Sequence, residues 1–422
     1  MNRYEEYKDT GIGWLPKLPS HWKLEQLRKY IRLVSKKGYP EKQLLSVTRE
    51  LGVIIRDTES KEENHNFIPD DLSGYKYVKE GQFVINKMKS WQGSYGVSAY
   101  EGIVSPAYYV CELDFPNKDF FGWAIRSRNY VSFFAQFSKG IRVGQWDLSP
   151  VALKSIPFFE PPLVEQEKIV RFLESKTLCI DAYVAERERE LQLLNELKES
   201  EIANIITRGL NPDVKMKYSK NNLLGVIPEH WEEKKLKYCF TERSEKNHPD
   251  EPILCATQSQ GVIPQSMYQN RVVVVNKGFE GLKFVKVGDF VISLRSFEGG
   301  IEYAYYQGII SAAYTILTPN EESYADYFKL LFKSQPFIQV LQTCVTGIRE
   351  GQNINYQMLG RKFIPIPPFE EQKAIVAYIE DKCNKINSLI TELEGEIEYL
   401  KEYKQKLIAD CVTGQIDVQS EI

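Results

Sequence analysis

Ile156-Pro-Phe-Phe-Glu-Pro-Pro-Leu-Val-Glu-Gln166 and Ile364-Pro-Ile-Pro-Pro-Phe-Glu-Glu-Gln372 are two versions of one stretch, and each opens a long helical pattern. The paired prolines stop whatever precedes them, because proline has no amide donor and biases the residue before it towards extended backbone. The Glu-Gln that follows falls in the first helical turn, where a carboxylate favours the positive end of the helix dipole. The patterns then run to about Arg208 and Cys411. In the second, an apolar seam passes through Ile379, Cys383, Ile386, Ile390, Leu393, Ile397, Leu400, Leu407 and Cys411, with Lys404 as the main interruption. Its spacing is close to the 3.5 residues of a coiled coil. The first repeats it less cleanly through Ile169, Leu173, Ile180, Val184, Leu191, Leu194, Ile202 and Ile205. Some 40 residues of helix reach roughly 60 Å, more than one domain of this size buries, so the two helices are expected to pack on each other. A domain intervenes, so the chain goes out along one helix and back along the other: the pair is antiparallel.

Working outward, the rest of the chain is also double. Gly13-Trp-Leu-Pro-Lys-Leu-Pro-Ser-His-Trp22, anchored by its two tryptophans, answers to Gly225-Val-Ile-Pro-Glu-His-Trp231. Tyr77-Val-Lys-Glu-Gly-Gln-Phe-Val-Ile85 answers to Phe284-Val-Lys-Val-Gly-Asp-Phe-Val-Ile292, apolar strands after a glycine turn. Gly102-Ile-Val-Ser-Pro-Ala-Tyr108 matches Gly308-Ile-Ile-Ser-Ala-Ala-Tyr314, and helical patterns follow around Phe120–Phe137 and Tyr324–Leu341. The offset stays at about 206 to 209 residues, a tandem duplication too long in period for a solenoid. Between the copies the loops differ most, Lys36–Asn66 against Glu242–Asn270. The expected fold is α/β: two mixed α/β domains separated by two long antiparallel helices in an intramolecular coiled coil, with a pseudo-twofold from the duplication. The expected boundaries are residues 1–160, 161–211 (helix), 212–366, 367–415 (helix) and a tail, 416–422.

The 422 residues carry a net charge of −3, but unevenly. Residues 1–160 and 217–362 hold +4 and +2, whereas the helical blocks 161–216 and 363–422 hold −3 and −6. Mildly basic globular blocks are compatible with a polyanionic partner without establishing one. The N-terminal stretch has no apolar core and is not a signal peptide, and no apolar run reaches the roughly 18 residues of a membrane span. Seven scattered cysteines form no CxxC pair, and read as free thiols of a cytoplasmic protein with no metal site.

Catalytic signatures are missing. No phosphate loop, GxSxG, HExxH or DxDxDG occurs. Asp213 with Glu232-Glu-Lys234 imitates a nuclease arrangement only loosely, and reads as a solvated charge run. Glu160-Pro-Pro-Leu163 and Ile366-Pro-Pro-Phe369 lack the Asn or Asp with which a methyltransferase holds adenine, and read as helix stops. Nucleic-acid contacts are better represented. Asn86-Lys-Met-Lys-Ser-Trp-Gln-Gly93 offers Lys87, Lys89, Trp91 and Gln92 in a glycine-closed loop, and Ser293-Leu-Arg-Ser-Phe-Glu-Gly299 offers Arg295 and Glu298. Lysine and arginine neutralise phosphates, while Gln92, Arg295 and Glu298 have groups that read base edges. Arg142 and Arg349, each in a Gly-Ile-Arg-x-Gly-Gln turn, suit a phosphate or a structural cap better than base reading, because both copies keep them.

The whole ordered set resembles the specificity subunit of a type I restriction-modification system. Gly13-Trp-Leu15 with His21-Trp22, Gly81-Gln-Phe-Val-Ile85 with Lys87–Gly93, Ile103-Val-Ser-Pro-Ala-Tyr108 and the two Pro-Pro…Glu-Gln helix starts carry the resemblance. The second copy departs from it at Arg295-Ser-Phe-Glu298 and Ala312. The resemblance implies a non-catalytic subunit with two target recognition domains that read a bipartite site on double-stranded DNA, held by spacer helices. It implies two modification (methyltransferase) subunits and the restriction (motor-nuclease) subunits as partners. The chain itself needs no cofactor: S-adenosylmethionine belongs to the methyltransferase subunits, and ATP and Mg to the restriction subunits. The alternatives are a single-chain methyltransferase or nuclease with an unrecognised active site, and a coiled-coil scaffold that binds no DNA.

Overall fold

The computed structural model describes residues 2–13, 15–58, 68–140, 146–268, 278–320, 324–347 and 352–420. They form two compact units, residues 1–188 with 395–422 and residues 189–394. Trp14, the first of the two tryptophans expected to anchor the N-terminal stretch, lies outside the described residues.

In unit 1 a four-stranded antiparallel sheet has the spatial order Ile31–Val34, Tyr108–Leu113, Phe83–Asn86, Tyr95–Val97. Around it lie four antiparallel pairs: Tyr7–Ile12 with Leu15–Pro19, Lys23–Gln26 with Pro157–Glu160, Leu45–Thr48 with Gly52–Ile55, and Lys76–Val78 with Gly102–Val104. Helices α1 (Lys118–Arg126), α2 (Arg128–Phe137) and α3 (Pro150–Ser155) precede the long α4 (Leu163–Arg208). Unit 2 repeats the plan. Its sheet runs Phe240–Arg243, Thr315–Pro319, Phe290–Ile292, Glu302–Tyr303; four of its pairs match those of unit 1, Met216–Tyr218 with Val226–Pro228, Glu232–Lys235 with Phe363–Ile366, Leu254–Thr257 with Gly261–Pro264, and Lys283–Val285 with Gly308–Ile310, and a fifth joins Val345–Thr346 to Asn353–Ile354. Its helices are α5 (Leu236–Cys239), α6 (Ser296–Gly299), α7 (Ala325–Lys333), α8 (Gln335–Gln342), α9 (Tyr356–Leu359) and the long α10 (Phe369–Val412).

Where the sequence suggests one helical pattern around Phe120–Phe137 and one around Tyr324–Leu341, the structure has two helices each. The backbone is extended at Ser127 (φ −62°, ψ 150°) and at Ser334 (φ −70°, ψ 143°). The core stripe explains the break. Phe121, Ala124 and Ile125 are followed by Tyr130, and Leu331 and Phe332 by Phe337, a step of five where a continuous helix needs three or four. Breaking the helix returns the next aromatic residues to the core.

The long helices pair antiparallel within each unit. In unit 1 Lys404 of α10 bonds Asp181 of α4 at 2.6 Å and Lys401 bonds Glu188 at 2.7 Å, so α10 numbers fall as α4 numbers rise. Ile169, Leu173, Leu407 and Cys411 are buried in the same core. Lys404, the interruption of the seam, is therefore one half of a bridge between the helices. In unit 2 Lys198 donates to Asn387 at 2.7 Å, and Ile205, Ile375 and Ile379 share one core.

The helix starts hold more than a stop signal. Glu165 takes His21 Nε2 on one oxygen at 2.7 Å, and on the other accepts from Trp22 Nε1 at 2.9 Å and Tyr4 Oη at 3.0 Å. Glu371 takes His230 at 2.8 Å and Trp231 at 3.0 Å in the same way. Gln166 and Gln372 donate back to the carbonyls of Pro161 and Pro367 at 2.7 and 2.8 Å. Each cluster also receives the end of the other long helix. Gly414, just past α10, has φ +68°, and a Cβ there would lie 2.5 Å from Pro19 and 3.1 Å from Trp22. Gly209, just past α4, has φ +75°, and a Cβ would meet Glu371 at 3.0 Å and Trp231 at 3.1 Å. Both positions need glycine for conformation and for space.

Glu371→Ala leaves the buried Trp231 N–H without an acceptor and should lower the stability of unit 2 by about 2 kcal/mol. Urea unfolding followed by hydrogen exchange measures this. Unchanged protection around Trp231 contradicts it.

Candidate nucleic-acid interface

The first candidate loop leaves the central strand Phe83–Asn86 of unit 1. Asn86 starts the turn: its carbonyl accepts from Lys89 N at 3.1 Å and its side-chain oxygen from Met88 N at 3.2 Å. A single 3-10 turn, Ser90–Gln92, follows and ends on Gly93 at φ +97°, which only glycine adopts at low cost. Of the residues expected here, Lys89 is exposed and Gln92 half-buried. Lys87 pairs with Asp147 at 3.2 Å. Trp91 lies with its ring centroid 5.2 Å from that of Trp146, and its buried indole N–H has no hydrogen-bond partner among the described residues. Trp146-Asp147, which the sequence reading missed, thus backs the loop with an aromatic ring and a carboxylate. Its signal is its position directly after the repeated Gly-Ile-Arg-Val-Gly-Gln sequence.

The second candidate loop leaves the equivalent strand, Phe290–Ile292, and passes through Ser293 into α6. Ser296 Oγ accepts from Ser293 N at 2.9 Å and fixes the turn. Arg295 is exposed and pairs with Glu298 through two contacts, 2.9 and 3.1 Å. An exposed pair of this kind contributes 0–1 kcal/mol, so exchanging it for a phosphate or a base edge costs little. Arg142 and Arg349 lie outside the described residues.

Behind the second loop a half-buried lysine meets a buried carboxyl. Lys333, the last residue of α7, reaches Glu302 Oε1 at 2.5 Å and donates to the carbonyls of Gly299 at 2.9 Å and Gln258 at 3.0 Å. Glu302 is 2% exposed. Burial pushes its carboxyl up from 4.5 to about 7, against the pull of Lys333. Unit 2 also carries a groove of about 330 Å³ in which Lys220, Arg361 and Lys362 stand with Asn221, Asn222, Leu223 and Phe363, and no carboxylate lines it. The sequence reading passed over it, because its cations are brought together from segments some 140 residues apart. Among the described residues no group of three or more His, Cys, Asp or Glu could hold a metal ion, and no helix is long and apolar enough to cross a membrane.

The raised Glu302 value fixes the sign of a pH effect. The fold favours the protonated carboxyl, so unit 2 loses stability as pH rises from about 4.5 through about 7. Glu302→Gln should remove that slope, and the variant should gain on the native protein between pH 5 and pH 8 in calorimetric melts. A constant difference across that range contradicts it.

Comparisons with known proteins agree with this architecture. No protein-family model matches the chain. The chain is 25% identical, over 99% of its length and 98% of the relative's, to a Methanocaldococcus jannaschii protein assigned as the MjaX type I restriction enzyme specificity subunit. Among solved structures it is similar to a chain of a type I restriction-modification system (TM-score 0.67, 16% identity, covering 95% of this chain and 100% of that one). It is also similar to the HsdS subunit from Thermoanaerobacter tengcongensis (TM-score 0.51, 17% identity, covering 95% and 98%). The structural likenesses bear on the fold: two mixed α/β domains with paired long helices. The sequence likeness to the M. jannaschii protein runs the length of the chain.

Proposed function

We propose that this chain is the DNA-recognition subunit of a type I restriction-modification system, that it does no chemistry itself, and that each unit reads one half of a bipartite site. The observation that carries the reading is the repetition of one frame with different loops. Strand order, helix starts and the His-Trp-Glu clusters are shared between units, whereas the exposed loops differ. A shared frame with unlike loops is what two related modules need in order to read two sequences.

In this mechanism Lys89, with Lys87 released from Asp147, neutralises phosphates, and so do Arg142 and Arg349. Those contacts set register without reading sequence. Gln92 pairs with the amino and N7 edge of adenine, Arg295 with guanine O6 and N7, and Glu298 accepts from cytosine N4; Trp91 braces the loop. The modification subunits then flip an adenine of each half-site into their own active sites, where S-adenosylmethionine supplies the methyl group. ATP and Mg serve the restriction subunits, and the complex works in the cytoplasm. The recognition domains are taken as residues 1–160 and 212–366 and the spacers as 161–211 and 367–415. The long helices are covalently continuous from one unit into the other, so their length governs the gap between half-sites, near one helical turn or roughly 10 bp for domains on one DNA face.

Exchanging residues 1–155 for the equivalent domain of a homologue should change one half-site and leave the other intact, as read by methylation sequencing with the modification subunits present. Altered half-sites on both sides contradict modular reading. Methylation or cleavage by the purified chain alone favours a self-contained enzyme. Failure of the complex to shift duplex DNA at any salt concentration favours a scaffold.

A further inference from the structure

Within the stretch where the two copies differ most, one element is built identically in both. Between Leu45–Thr48 and Gly52–Ile55 the chain turns through Arg49-Glu50-Leu51, and between Leu254–Thr257 and Gly261–Pro264 it turns through Gln258-Ser259-Gln260. Thr48 Oγ1 accepts from Leu51 N at 3.1 Å and donates to Gly52 O at 3.3 Å. Thr257 Oγ1 accepts from Gln260 N at 3.0 Å and donates to Gly261 O at 2.9 Å. Gly52 and Gly261 both sit at φ +74°. The frame is Thr-x-x-x-Gly, and only its three central residues vary.

Each turn is then held from behind by a cation at the end of a helix. Arg126, the last residue of α1, donates to Arg49 O at 3.1 Å and Glu50 O at 2.7 Å, and to Tyr95 O at 2.7 Å. In unit 2 Lys333 holds the turn through one carbonyl, Gln258 O at 3.0 Å, and its bond to Gly299 O ties the turn to the Arg295–Glu298 loop. The two segments touch there: a Cβ on Gly299 would come within 2.7 Å of Gln258 Cγ. A hairpin turn ordinarily gives its carbonyls to water. Here a half-buried cation takes carbonyls of the turn and holds its backbone, while the tip side chains are exposed: Leu51 is 72% exposed, and Arg49, Glu50, Gln258, Ser259 and Gln260 are exposed as well.

We propose that these two hairpin tips, Arg49–Leu51 and Gln258–Gln260, are base-reading elements, one in each domain, and that Arg126 and Lys333 are the positioning residues that hold them beside the neighbouring loops. The inference rests on the DNA-recognition reading above. The tip chemistry suits it. Gln258 and Gln260 carry the amide that pairs with adenine N6 and N7, Arg49 has the fork that matches guanine, Glu50 accepts from cytosine N4, and Leu51 meets a thymine methyl. Unlike tips on one rigid frame let the same fold read different bases.

The test selects bound duplexes from a randomised DNA library with the full chain and its modification subunits, and sequences them. Native protein enriches a bipartite site. Gln258→Ala with Gln260→Ala, surface changes that leave the frame in place, should relax one or two positions of one half-site by about tenfold and leave the other half-site unchanged. Arg49→Ala should relax positions in the opposite half-site. Lys333→Met, made with Glu302→Gln so that no unpaired charge is buried, should relax the same positions as the Gln258 and Gln260 changes. Tip variants that enrich the native site unaltered, or that weaken binding to all sequences equally, overturn the proposal. A Lys333 variant that melts earlier but keeps the native base preference overturns the positioning role. Native protein that enriches no site refutes the underlying recognition reading, and this inference with it.

Discussion

The carboxylates of Glu165 and Glu371 hold the two units in register with their helices. Each sits in the first turn of a long helix and accepts from the indole and imidazole of a His-Trp pair; in unit 2 the carboxylate also lies against Gly209, and in unit 1 Gly414 lies against Trp22 of the pair. Hydrogen bonds to a charged acceptor contribute about 1.5–3 kcal/mol each, more than the 0.3–1 kcal/mol of a carboxylate at a helix N-terminus. The dipole argument therefore finds the right residue for the smaller of its two reasons. The prolines before each helix start free the backbone to turn, and Gln166 and Gln372 close that turn from their side chains.

From these anchors the division of labour follows. Apolar residues and the Asp181–Lys404 and Glu188–Lys401 bridges fix the helix pair in unit 1. The sheets rest on aromatic cores that include Phe83, Tyr95 and Phe134 in one unit and Phe290, Phe328 and Phe332 in the other. Loops and turns at the ends of rigid strands, to which the proposed function gives recognition, are where a few side chains can change without disturbing the core.

Periodicity carried most of the architecture in the sequence, because a seam of apolar residues and a repeated helix start are local patterns. The break at Ser127 was also legible, as a step of five in the apolar stripe, but is easily read through as one helix. Pairing was less accessible. Lys404 reads as a fault in the seam until Asp181 is placed opposite it, and Lys87 reads as a free cation until Asp147 is brought to 3.2 Å. The Arg295–Glu298 pair, three residues apart on a helical turn, could have been foreseen. Arg126 and Lys333 escaped for a different reason. They do one job with unlike side chains, so a comparison of the copies by residue identity passes over them, and the short Thr-x-x-x-Gly frame they hold is lost among differing neighbours.

The way each core is completed has a consequence for synthesis. Residues 189–394 are contiguous, and unit 2 has all its parts once they have left the ribosome. Unit 1 does not. Its core around Trp22 and Ile169 includes Leu407, Cys411 and Val412, and its cluster is closed by Gly414. Domains generally fold as they emerge, the earliest first. In this chain that order is reversed for completion: the unit that begins earlier is finished later, because Leu407, Cys411 and Val412 of its core lie at the far end of α10.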